Sequence, residues 1–146
     1  MKTKIFISAL IALTFTFISC SGSDDDGGGN NNPVNGFMWT ENGSATVNTA
    51  ATASFSTQYK TLMAKDASGN TLFEINLNGT TAATYAIGAN NAFTYAAVNP
   101  FYIATGGNIV ISANASNKMS GTFTTTGSGS NITAINGTFT NIDVVP

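Results

Sequence analysis

Few side chains in this 146-residue chain could carry chemistry, and Cys20, its single cysteine, is the most telling of them. It follows Lys2, Lys4 and an uncharged stretch of fourteen residues from Ile5 to Ile18, with only Ser19 between. A stable membrane-spanning helix needs about 20 apolar residues, so this stretch suits the core of an export signal better than a span. The ending Phe17-Ile18-Ser19-Cys20 has the form of a lipobox, with Phe17 where Leu is commoner. The chemistry expected is cleavage before Cys20 and attachment of acyl chains such as palmitate to it. The competing reading is an ordinary secretory signal with an incidental cysteine. Each buried methylene contributes about 0.8 kcal/mol, and two or more chains anchor stably. Cys20 would then tie the rest of the chain to a membrane.

Carboxylates are the other reactive groups. Asp24, Asp25 and Asp26 stand together, followed by Glu41, Asp66, Glu74 and Asp143, and the chain has neither His nor Arg. Without His there are no His-dependent triads, common zinc sites or imidazole proton shuttles. Three adjacent aspartates in a Gly-rich stretch lack the fixed loop and extra oxygens of a calcium site. A glycosidase needs two carboxylates about 5–10 Å apart across a cleft. Each of the four later ones has an ordinary alternative. Asp66 heads the turn Asp-Ala-Ser-Gly-Asn, Glu41 precedes Asn-Gly, Glu74 faces away from Phe73 and Ile75, and Asp143 is near the chain end. No catalytic, cofactor or metal site is expected, and a carboxylate-only hydrolase is the weakest reading. Scarce lysine and absent arginine also disfavour nucleic acid as a partner.

Aromatic rings could bind a ligand rather than transform it. Trp39, Tyr95 and Tyr102 are the candidates, the last two within the aromatic-dense segment 93–102, which Asn99-Pro100 interrupts. Rings can stack on sugar faces while Asn and Thr bond the hydroxyls. The competing reading puts Phe93, Tyr95, Phe101 and Ile103 in the core and Tyr102 at its rim. Five Asn-x-Ser/Thr triplets follow from an Asn- and Thr-rich composition and are given no role.

These residues need elements to hold them. Residues 1–19 read as the export segment. Residues 20–33 read as the acylated cysteine plus a linker with no apolar side chain, too polar to offset its ordering entropy. Residues 34–146, numbering 113, make one domain with a net charge of −1. Its pattern is period two with Asn-Gly, Gly-Gly and Ser-Gly turn signals, which predicts an all-β fold. Phe37 and Trp39 share one strand face; Phe73, Ile75 and Leu77 share another; Ile109, Ile111 and Ala113 share a third, opened by Gly106-Gly107-Asn108. About eight to ten short antiparallel strands are expected, in a β-sandwich or, as its main competitor, a β-barrel. Met119-Ser-Gly-Thr-Phe-Thr124 recurs as Ile135-Asn-Gly-Thr-Phe-Thr140, which predicts a hairpin. In each copy the first apolar residue, the Gly and the Phe share a face, the Gly leaving room for a ring from a facing layer.

The repeat, the opening Gly36-Phe-Met-Trp39 and the strand start Gly106-Gly-Asn-Ile-Val-Ile111 resemble an uncharacterised family of Bacteroidota lipoproteins, over most of residues 36–143. The resemblance implies a β fold and a cell-envelope location; it transfers no catalytic residue. Lipoproteins of this class carry two or three acyl chains, and an acidic run after the cysteine resembles the signal that sends many to the outer face of the outer membrane. The expectation is a surface-exposed, non-catalytic binding module for a carbohydrate or protein ligand, with the periplasmic face as the other location. A structural coat lipoprotein without a small-molecule site is the alternative.

Overall fold

A computed structural model describes residues 36–146; Cys20, the segment 1–19 and the linker 20–33 fall outside the described residues. The described part is all β. Its strands are β1 (Gly36–Glu41), β2 (Asn48–Thr49), β3 (Thr52–Ser56), β4 (Thr61–Lys65), β5 (Thr71–Asn76), β6 (Ala83–Ala86), β7 (Ala92–Tyr95), β8 (Tyr102–Ala115), β9 (Lys118–Gly129) and β10 (Ile132–Val145). Of the two architectures the pattern allowed, the barrel forms. β10, β3, β4, β5, β7, β8 and β9 pair in that order and close on themselves. β1 adds to β10 and carries β2, while β6 adds to β8.

Two long strands, β8 and β10, make closure possible by serving two partners along one edge. Tyr102 and Ile103 of β8 pair with β7. The register then shifts between Ala104 and Gly106, and Asn108 to Ile111 pair with β6. β10 works alike: Ile135 to Thr140 pair with β1, the register shifts between Phe139 and Ile142, and Asp143 to Val145 run parallel to β3. An extra residue bends a strand and raises its twist. The bend turns the strand end toward a new neighbour. Gly106-Gly107, expected to open a strand, therefore lie inside one. Gly107 takes φ +112°, and a Cβ there would run into the Thr124 backbone.

Two parities expected from the sequence are corrected, one by a bulge and one by pairing. Ala113 is exposed although Ile109 and Ile111 are buried, because the register shifts between Ile111 and Ala113. Tyr102, expected at the rim, is fully buried, while Phe101 and Ile103, expected inside, are each 57% exposed. The cause is cross-strand pairing. Tyr102 stands opposite Tyr95, whose ring points inward, and directly paired residues share a face. A one-residue slip exchanges every inside and outside side chain.

The interior is rich in aromatic rings. Phe37, Phe73, Phe93, Phe123 and Phe139 are buried with Leu62, Ile75, Ile109, Ile111 and Met119. Phe73 stacks on Tyr95 at 4.5 Å and meets Phe37 and Trp39 at 4.9 Å each. Fully burying one such side chain contributes about 1.5–3 kcal/mol.

The repeat forms the expected hairpin, β9 with β10. The ring that fills each glycine's space comes from the neighbouring strand, not a facing layer: Gly121 pairs with Phe139, and Gly137 with Phe123. A Cβ on either glycine would collide with that ring and with a backbone carbonyl, of Val110 or Met38 respectively. Each copy thus supplies the vacancy that the other copy's phenylalanine occupies.

Candidate functional site

The three aromatic residues nominated by sequence lie inside the barrel. Trp39 and Tyr95 meet edge to face at 5.7 Å, and both are buried. Trp39 Nε1 donates to Glu41 Oε1 at 3.1 Å. Burial first, and the Glu41 carboxylate second, push the Tyr95 phenol up to about 12 from its ordinary 10.0. Tyr102 packs against Phe93 at 6.4 Å. Its hydroxyl lies 2.9 Å from Thr125 Oγ1. Since Thr125 Oγ1 spends its single proton on the Ile135 carbonyl at 2.8 Å, Tyr102 is the donor of this pair. Burial raises the Tyr102 phenol as well. Trp39, Tyr95 and Tyr102 are brought together as core, and of the three Trp39 also borders a hollow on the outer wall, with 5% of its surface exposed.

The four carboxylates of the described residues have separate partners. Asp66 accepts from the Ser68 and Asn70 amides and from Asn70 Nδ2, at 2.8–2.9 Å, closing the β4–β5 turn. Those bonds hold its carboxyl below the usual range, the Asn70 side chain contributing most. Asp143 pairs with Lys118 Nζ at 2.6 Å on the surface. Glu41 takes the Trp39 indole, and Glu74 takes the Asn76 amide. No group of three or more metal-binding side chains occurs among the described residues.

Hollows open on the surface of the described residues, among them one of about 220 Å³ beside the Lys118–Asp143 pair and two larger ones on the outer wall. One, of about 370 Å³, lies over β1, β9 and β10. Trp39 and Phe123 form its floor with Met38, Val47 and a rim of threonines and Asn136, and it has no ionisable group. The other, of about 320 Å³, lies over β3, β4 and β5, lined by Ser54, Ser56, Tyr59, Thr61, Met63 and Glu74. No protein-family model, curated protein or solved structure matches the chain. The chemistry of the two walls is therefore what distinguishes them, and the second is richer.

Registration explains how that second lining assembles. Ser54, Met63 and Glu74 stand opposite one another in adjacent strands, as do Ser56, Thr61 and Asn76. Their neighbours Phe55, Leu62, Ala64, Phe73 and Ile75 are buried, so strict alternation puts both rows outside. Thr61 Oγ1 donates to Asn76 Oδ1 at 2.7 Å, and Asn76 Nδ2 donates to Glu74 Oε1 at 3.1 Å. This relay holds Glu74 in place and leaves its second oxygen without a protein partner among the described residues.

Tyr59 stands over the rows from the turn between β3 and β4. The Tyr59 amide donates to Ser56 Oγ at 3.4 Å, and Lys60 turns the chain with φ +53°. The Tyr59 ring is 73% exposed, the most exposed large apolar side chain among the described residues. Sequence reasoning missed Tyr59 because a turn carries no periodicity. The signal was an aromatic residue in the polar run Ser56-Thr-Gln-Tyr-Lys60, between two alternating segments.

Proposed function

We propose that this chain is a non-catalytic binding module, held at the cell envelope by acyl chains on Cys20, and that it binds through the hollow beneath Tyr59. The exposed Tyr59 ring over a lining of three hydroxyls, a thioether and a carboxylate carries the reading. A large ring left in water gains nothing for the fold, whereas aromatic anchors beside convergent polar groups are the usual make-up of a recognition surface. The lipobox form at Cys20 and the likeness to Bacteroidota lipoproteins support an outer-membrane anchor, with the acidic run favouring the cell surface over the periplasmic face.

Both halves are open to test. Metabolic labelling with a fatty-acid analogue should mark the wild-type chain, and the label should vanish in Cys20→Ser. An environment-sensitive dye on Ser54→Cys, in that Cys20→Ser background, reports occupancy of the hollow whatever the ligand's class. Panels of glycans, peptides and amphiphiles should include at least one member that shifts the dye. Silence across all three panels supports the alternative, a coat lipoprotein that binds nothing there.

A further inference from the structure

Given a binding role for this hollow, we infer that its ligand is a neutral carbohydrate, with one pyranose ring seated on Tyr59. Four observations converge on that class.

The first is the pairing of an apolar face with dense hydrogen-bonding groups. A pyranose has C–H bonds on its faces and hydroxyls around its edge. The exposed ring of Tyr59 and the Met63 thioether meet the first kind of surface, and Ser54, Ser56, Thr61 and Glu74 meet the second. A wholly apolar ligand would strip water from those polar groups and give nothing in return.

The second is the fixed acceptor. The Thr61–Asn76–Glu74 relay positions a carboxylate whose second oxygen can accept from a sugar hydroxyl. Hydrogen bonds to a charged acceptor are roughly twice as strong as neutral ones. Holding the acceptor before the ligand arrives removes an ordering cost from binding.

The third concerns charge. An anionic ligand would meet Glu74 and no cation in the lining. The nearby Lys60 Nζ is directed to the Asn78 carbonyl at 3.4 Å. Phosphates, sulfated glycans and uronic acids are therefore poor partners.

The fourth is the closed ladder. An extended peptide that adds to a sheet needs a free strand edge. β3 is paired with β10 and β4, β4 with β3 and β5, and β5 with β4 and β7. No strand of this wall has an edge to give. The volume of about 320 Å³ lies at the lower end of the range for small-molecule sites, about 300–1,000 Å³, and suits one ring of a glycan.

The test uses the full chain in a zwitterionic detergent without sugar headgroups. Methyl glucoside, methyl mannoside, methyl galactoside, N-acetylglucosamine and glucuronic acid are titrated by NMR, alongside a glycan array. At least one neutral sugar should shift the Tyr59 ring, Met63 methyl and Glu74 amide signals, and glucuronic acid should not. Tyr59→Ala should weaken binding about tenfold, the scale of a lost stacking contact, with Tyr59→Phe close to wild type. Glu74→Gln should weaken it about fivefold. Unchanged Trp39 fluorescence shows that each variant is folded. Silence from every sugar while a peptide or amphiphile moves the dye at position 54 overturns the carbohydrate assignment and leaves the binding role standing. Silence from all classes removes both. Sugar binding that survives Tyr59→Ala undiminished overturns the placement.

Discussion

Thr125→Val should destabilise the barrel by about 3 kcal/mol, although it replaces one methyl-sized group by another. Thr125 is buried and stands opposite Ile135 in the β9–β10 pair. Its hydroxyl donates to the Ile135 carbonyl at 2.8 Å, accepts from the Ile135 amide at 3.2 Å, and accepts from Tyr102 at 2.9 Å. Valine abolishes all three. Each bond to Ile135 contributes about 0.5–1.5 kcal/mol net, and the Tyr102 hydroxyl, left buried without a partner, costs about 1–3 kcal/mol. Tyr102→Phe alone should cost only about 1 kcal/mol, because Thr125 keeps both bonds to Ile135. The decisive comparison is the double variant. In the Thr125→Val background, Tyr102→Phe deletes the orphaned hydroxyl, so it should restore about 1–2 kcal/mol. Urea unfolding followed by fluorescence of Trp39, the chain's one tryptophan, reads all four proteins. Equal destabilisation by Tyr102→Phe in both backgrounds would refute the network and reduce Thr125 to a packing residue.

The reciprocal glycines make a second prediction: Gly121→Ala and Gly137→Ala should each cost about 1–3 kcal/mol or more by overpacking, read as a lower urea midpoint. Phe139→Leu should recover part of the Gly121→Ala loss and none of the Gly137→Ala loss, since Gly121 alone faces that ring. Tyr95 gives a pH dependence. Its phenol titrates near 10.0 when unfolded and about 12 when folded, so between those values only the unfolded chain has lost the proton. Stability is therefore full below about pH 10 and falls by about 2–3 kcal/mol as pH rises toward 12, seen by ultraviolet titration and alkaline unfolding. Glu41→Gln should move that titration downward. Asp143→Asn should shift the thermal midpoint very little, because its ion pair with Lys118 is exposed and such pairs contribute about 0–1 kcal/mol.

Local periodicity carried much of this fold. Phe73, Ile75 and Leu77 alternate into the core as their spacing requires, and the repeat at Met119 and Ile135 forms a hairpin with its apolar residues inside. The misread places are those where pairing between distant strands decides. Ala113 left the core because a bulge after Ile111 reverses the alternation. Phe101 and Ile103 lost the interior to Tyr102 through its pairing with Tyr95, and nothing within residues 101–103 distinguishes the two parities. Barrel closure depends on β10 reaching β3 across more than 80 residues of sequence, a contact with no local signature. The candidate site was legible only in part. The outward position of Glu74 followed from alternation, but its meeting with Ser54 and Thr61 required the register, and Tyr59 required the turn.

The paired bends of β8 and β10 bear on edge-to-edge pairing between copies of this chain. From residue 34 onward it has three lysines and four acidic side chains, so copies crowded together would repel one another only weakly. By letting each long strand change neighbours midway, the bends close the seven-membered ring, so that among the described residues the unpaired strand edges are short ones. With so few charges on the domain, limiting open strand edge by geometry is the remaining guard against such pairing.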